Sequence, residues 1–136
     1  MCTSGNRLPF CSETIHERHN FDVMKKKVVT ITFSPSIDKS VSVKKLIPET
    51  KMKCFDEESY PGGGGINIAR VLTRFGTDVT ALFPVDQCNS TFFEKMLNIE
   101  KVTHVAVQIE NKTRENLEVF DEHSKKQFRF VMPSNE

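Results

Sequence analysis

The stretch Pro61-Gly62-Gly63-Gly64-Gly65-Ile66-Asn67-Ile68-Ala69-Arg70 constrains this chain more than any other. Four of the six glycines stand there in a row, ahead of Ile68, Val71, Leu72 and Phe75 at i, i+3, i+4 and i+7. That spacing predicts a helix of roughly ten residues with one apolar face. Gly76 follows where a helix C-cap favours glycine. Backbone without Cβ atoms lets a ligand come close, and the first amides of the helix point toward it. A glycine turn before a helix is often just a tight connection. Four in succession cost up to about 1 kcal/mol each relative to alanine, so the run reads as a site for a polar or anionic small molecule. It is not the G-x-G-x-x-G dinucleotide fingerprint, because Asn67 and Ile68 stand three residues beyond Gly64 and Gly65. No Lys-Ser or Lys-Thr follows it, which excludes a Walker A loop.

The rest of the composition narrows the partners. A net charge of +1 leaves no electrostatic footprint for nucleic acid or an acidic membrane surface. No apolar run approaches the ~18 residues of a membrane span. Residues 1–24 lack a secretory signal and read as a flexible leader, with Met24 a natural start for the folded part over 25–136. A cytoplasmic chain with reduced thiols is therefore expected, since Cys2, Cys11, Cys54 and Cys88 show no C-x-x-C spacing. Cys2, Cys11, His16 and His19 lie in a segment without the supporting pattern that a zinc site needs.

Along the chain, Val28-Val29-Thr30-Ile31-Thr32-Phe33 predicts a buried central strand. Ser34-Pro35 ends it, so Asp38 is expected in a turn just past the strand's C-terminal end. Ligands collect there in open α/β sheets, although aspartate in such a turn also serves simply as a turn former. Val41 and Val43 alternate with polar neighbours, and residues 51–57 give a second weak strand after a turn at Pro48-Glu49-Thr50. The two make a small antiparallel flap over the glycine loop. Residues 79–83 read as a parallel strand closed by Pro84. Residues 90–97 suit a short helix capped by Asn89 or Ser90, with Phe92, Phe93, Met96 and Leu97 on its apolar face. Strand-like runs follow at 102–107, 117–120 and 128–131. His104 and His123 have no partner at a telling spacing, and Lys25-Lys26-Lys27 and Lys125-Lys126 read as solvated faces.

Taken together and in order, Pro35-Ser36-Ile37-Asp38, Lys51, the glycine stretch, Thr113-Arg114-Glu115-Asn116 and Phe128-Arg129-Phe130-Val131-Met132-Pro133 resemble the PfkB family of sugar kinases. The resemblance runs from about Lys27 to Pro133. Four glycines followed by Ile-Asn are most similar to the 6-phosphofructokinase branch, with 1-phosphofructokinases and tagatose-6-phosphate kinases nearest to it. The resemblance implies an α/β fold: the N-terminal portion of a ribokinase-like three-layer sandwich with a small β-flap, or lid, over about 40–58 and 102–132.

It also implies the site. Asp38 would accept hydrogen bonds from sugar hydroxyls, Gly62, Gly63, Gly64 and Gly65 would lie against the sugar, and Asn67 would donate from the helix's first turn. Arg114 would pair with the sugar phosphate and Lys51 would stand near the substrate phosphates. Fructose 6-phosphate is the implied substrate, ATP and Mg²⁺ the implied cofactors, and a homodimer through the lid the implied assembly. Two departures from the family's pattern stand out. Its usually glycine-rich loop after the second parallel strand is here Val85-Asp86-Gln87-Cys88-Asn89-Ser90. Its catalytic Gly-Ala-Gly-Asp motif has no counterpart, because no glycine follows Gly76. The expectation is a truncated or fragmentary kinase, inactive alone, or else a non-catalytic sugar-phosphate-binding or dimerising module. With one or two helices for its parallel strands, it should also expose apolar surface.

Overall fold

The computed structural model describes residues 27–134; the expected leader and the Cys2, Cys11, His16 and His19 group lie outside the described residues. The elements in chain order are β1 (Val28–Ile31), β2 (Ser36–Val43), β3 (Phe55–Gly62), α1 (Gly64–Arg74), β4 (Val79–Asp86), α2 (Gln87–Ile99), β5 (Thr103–Ile109), β6 (Arg114–Asp121) and β7 (Lys126–Phe130). They form two sheets. A parallel sheet has the order β1-β4-β5, and a mixed sheet, the lid, has the order β3-β2-β6-β7.

Both helices pack on one face of the parallel sheet. Val79, Ala81, Phe83 and Val85 alternate along β4 toward Ile66 and Ala69 of α1 and Phe93 and Leu97 of α2. Phe83 and Phe93 meet at a ring-centroid distance of 5.3 Å, within the favourable range for aromatic pairs. Ile37 of β2 joins this cluster and anchors the lid to the main core. A second, smaller cluster of Val41, Val43 and Val119, with Leu117 and Phe128 against it, lies within the lid.

Several sequence expectations are corrected here. β1 is not a central strand but an edge of its sheet among the described residues. Of the expected apolar face of α1, Leu72 packs against the core but the other three members do not. Ile68, Val71 and Phe75 are exposed, while Ile66 and Ala69, offset by about half a turn, face the strands. Pro84 lies inside β4 rather than ending it. β1 has already stopped at Ile31, opposite Leu82, so a proline beyond that point takes no donor from a β1 ladder. α2 starts three residues earlier than expected, with Asp86 as its N-cap in place of Asn89 or Ser90. The expected lid run over 102–132 divides: Thr103–Ile109 pairs in parallel with β4, and the lid resumes at Arg114. Asp38 sits within β2, not in a turn, because β2 is paired on both sides by β3 and β6. β2 and β6 run parallel, so the lid is larger than an antiparallel flap.

Side-chain ties lock the elements together. Asp86 Oδ1 accepts from the backbone N–H groups of Cys88 and Asn89, and Oδ2 accepts from Asn89 Nδ2 and the Thr113 N–H at 2.7 and 2.9 Å. Burial alone would raise the carboxyl's pKa, but hydrogen bonds from Thr113 and Asn89 outweigh it and hold Asp86 well below the usual carboxylate range. Glu100 bridges Arg70 and Arg74 of α1 at 2.5 and 2.8 Å. The Arg70 hydrogen bond is the chief reason that its carboxyl, too, is held low.

A carboxylate with a lowered folded pKa adds stability above its unfolded value, and that stability is lost as pH falls through the folded one. The Asp86 and Glu100 contributions are complete above about pH 4.5 and fade below it. Denaturant midpoints are therefore expected to fall between pH 5 and pH 3, and to fall less in Asp86→Asn; equal declines in both proteins would contradict the assignment.

The opposite face of the parallel sheet carries no layer among the described residues. Val29, Ile31, Val105 and Val107 are each half-exposed or more, with Phe33 at 86%. Register places Ile31, Leu82 and Val105 side by side on that face, with Val107 opposite Pro84. A contiguous apolar sheet face left in water promotes association. The purified chain is expected to bind a hydrophobic dye in its native state and to self-associate with concentration. A dye-negative monomer by sedimentation would overturn that expectation.

Candidate functional site

The expected site residues come together where the lid meets the start of α1. In β2, Ser36 and Asp38 lie on one face; β6 places Arg114 opposite Ser36 and Asn116 opposite Asp38. The period of two then puts Ser36, Asp38, Arg114 and Asn116 on the same face of the lid. Asp38 Oδ1 accepts from Ser36 Oγ and Asn116 Nδ2, both at 2.8 Å. Two donors on one oxygen fix the carboxylate's orientation while it keeps further acceptor capacity. Asn116 is itself held, its Oδ1 accepting from the Met132 N–H at 3.2 Å.

The glycine turn closes against these groups. A Cβ on Gly62 would stand 2.5 Å from Ser36 Oγ and nearer still to the Asp38 carboxylate. Gly63 is the N-cap of α1 with φ 131°, a conformation that side chains rarely adopt. A Cβ on Gly65 would stand 2.6 Å from the Ile31 carbonyl oxygen. The Ile66 N–H donates to Thr32 Oγ1 at 3.0 Å, tying the helix start to the end of β1. Gly64 differs from its neighbours, for a Cβ there would meet open space. Three of the four glycines are thus demanded by packing or backbone, and the fourth faces outward.

Asp38, Asn67, Asn116 and Arg129 line a cavity of about 310 Å³. Arg114 lines a second, of about 480 Å³, which shares Lys39, Asn116 and Leu117 with the first. Arg114 is only lightly engaged. Its Nη1 and Nη2 donate to the carbonyls of Met132 and Ser34 at 3.3 and 3.4 Å, and its buried Nε has no partner. No carboxylate pairs with it among the described residues. A guanidinium with long carbonyl contacts and an unmatched buried N–H has planar donor capacity left for an anion. Neighbouring Lys39 is already spent on Glu115 at 2.6 Å.

Lys51 is not brought into this group. It is exposed in the 44–54 connection and lines neither cavity. Conversely, Ser36, Asn116 and Arg129 were absent from the expected set. For Asn116 the signal was available, because alternation from Arg114 along a strand puts it on the same face. Among the described residues no three His, Cys, Asp or Glu side chains gather as metal ligands.

Known proteins match this chain in sequence and in fold. The pattern of the pfkB family carbohydrate kinases covers residues 26–135. The ATP-dependent 6-phosphofructokinase isozyme 2 of Escherichia coli (strain K12) is 37% identical over 107 residues, spanning 79% of this chain and 35% of the relative. Its namesake in Mycobacterium tuberculosis (strain ATCC 25618 / H37Rv) is 35% identical over 113 residues, spanning 83% of this chain and 33% of the relative. The crystal structure of phosphofructokinase-2 from Escherichia coli in complex with fructose-6-phosphate superposes with a TM-score of 0.74 at 37% identity, over 79% of this chain and 36% of that one. The chain spans about a third of the length of the curated relatives it matches. The match over residues 26–135 and the 37% identity to the Escherichia coli relative show that the chain belongs to the pfkB family of carbohydrate kinases.

Proposed function

We propose that this chain carries the sugar-phosphate-binding part of a 6-phosphofructokinase-type kinase, with fructose 6-phosphate as its ligand. One observation supports the reading above others: an oriented carboxylate, Asp38, and an anion-ready guanidinium, Arg114, share one face of the lid beside the glycine turn. Asp38 accepts from sugar hydroxyls, Arg114 takes the phosphate, and Asn67 donates from the first turn of α1. Gly64 is where the sugar comes nearest the backbone, while Gly62, Gly63 and Gly65 shape the turn. Family membership implies ATP as the phosphoryl donor. In the whole protein's reaction the γ-phosphoryl group passes to a sugar-phosphate hydroxyl, with Mg²⁺ offsetting phosphate charge. The residues described here bind and orient the acceptor; none is assigned to the transfer.

Lys51 enters the reading only through assembly. Lining neither cavity on its own lid, it would serve a site through a lid-to-lid dimer, for which β3 and β7 are the outer strands among the described residues. No helix among the described residues is long and apolar enough to cross a membrane.

Calorimetry tests the binding. Wild type is expected to bind fructose 6-phosphate, and Arg114→Ala to weaken it roughly 10- to 100-fold, the worth of a charge-assisted contact. Binding of unphosphorylated fructose should barely change. No saturable heat with the wild type would refute the proposal.

In a second reading these residues act as a binding or dimerising module without catalysis, with β3 and β7 as the outer strands available for pairing. The chain incubated with ATP, Mg²⁺ and fructose 6-phosphate is then expected to form no bisphosphate. Turnover by the purified chain would exclude the module reading.

A further inference from the structure

We propose that Asp86 is the positioning residue for Arg114, acting through Thr113; the proposal rests on the sugar-phosphate reading of Arg114 given above. Asp86 ends β4 and begins α2, while Thr113 stands one residue ahead of β6. The two exchange a pair of hydrogen bonds across 27 residues of chain. Asp86 Oδ2 accepts from the Thr113 N–H at 2.9 Å, and the Asp86 N–H donates to Thr113 Oγ1 at 3.3 Å. Both residues are buried, at 6% and 4% exposure, so water does not compete for these bonds.

Helix capping alone does not account for this. An N-cap side chain needs one oxygen, and Asp86 uses Oδ1 for that purpose on Cys88 and Asn89. Oδ2 is the additional acceptor, aimed away from the helix at the neighbouring loop, and Asn89 Nδ2 steadies it at 2.7 Å. The consequence falls on the next residue. Among the described residues, Arg114 has no ion pair to set its guanidinium and makes two long contacts to carbonyls. Its place is therefore inherited from its backbone. That backbone is held on one side by the Asp86–Thr113 pair and on the other by the β2–β6 register beginning at Ser36–Arg114.

Asp86→Asn separates the two roles, because asparagine caps helices about as well as aspartate. The single carboxamide oxygen serves the cap and leaves an amide donor facing the Thr113 N–H. In ¹⁵N-labelled full chain, this variant is expected to speed hydrogen exchange of the Thr113 amide and the Arg114 Nε–H roughly tenfold or more, the scale of one lost charge-assisted bond. The amides along α2 should keep wild-type exchange. Fructose 6-phosphate affinity should drop roughly tenfold, and fructose affinity should stay within about twofold. Thr113→Val, which removes only the reciprocal bond, should show the same pattern at smaller amplitude, and it carries the test should Asp86→Asn fail to fold. Unchanged exchange at Thr113, or a loosened Thr113 with undiminished fructose 6-phosphate binding, would overturn the proposal. A wild type that binds no fructose 6-phosphate defeats the sugar-phosphate reading instead; exchange at Thr113 and Arg114 Nε then decides whether Asp86 holds the arginine.

Discussion

The close approach of the glycine turn to the β1 backbone and to the side chains of Ser36 and Asp38 is the constraint on which the site depends. Gly65 lies where a side chain would strike the Ile31 carbonyl, and Gly62 where one would strike Ser36 and Asp38. The first contact brings α1 down onto β1, with Thr32 Oγ1 receiving the Ile66 N–H. The second brings β3 against β2 at the position where the lid's acidic group stands. Helix, parallel sheet and lid thus meet at one turn, where Gly65 has no room for a Cβ against the Ile31 backbone. Entropy lost in ordering four glycines is offset by burial around them, since Ile66 and Ala69 become fully buried immediately after the turn.

This explains what a reader of the sequence can and cannot obtain. The helix after the glycines was legible because a four-residue glycine run, a 3.6 period and Gly76 all agree. Its packing face was not. Ile68, Val71 and Phe75 make the more apolar stripe, yet Ile66 and Ala69 are buried, because small Ala69 permits close contact with the sheet while the larger stripe points away. Periodicity identifies an apolar side, but it does not say which neighbour is present to cover it. Strand pairing was similarly hidden. Residues 103–109 and 114–121 have alike composition, and their assignment to different sheets follows from long-range register, with no local signal to separate them. Among the residues proposed for the site, Asp38, Asn67 and Arg114 come from the resemblance and line the two cavities. Asn116 required the strand period to be applied to a motif already in hand.

Two sequence segments that look independent turn out to be one packing unit. The aspartate of Pro35-Ser36-Ile37-Asp38 and the glycines after Pro61 are more than 20 residues apart, yet Ser36 pairs with Gly62 and Asp38 with Tyr60. Replacing Gly62 by any other residue would press on the same carboxylate that Asn116 and Ser36 hold in place. Asp38 orientation and the glycine turn are therefore coupled, and damage to either acts on both.

The distribution of charge and apolar surface then separates binding from chemistry. Every group proposed to touch a sugar phosphate lies on the lid face, the glycine turn or the first turn of α1. The uncovered apolar face, with Val29, Ile31, Phe33, Val105 and Val107, belongs to the parallel sheet on the side away from both helices. Parallel strands are stable when both faces are covered, so that face marks where further structure is needed for stability. The acceptor site needs nothing from that side, because its carboxylate and guanidinium are set by β2, β6 and the Asp86–Thr113 pair. On the proposed reading, sugar-phosphate recognition is therefore local to these elements.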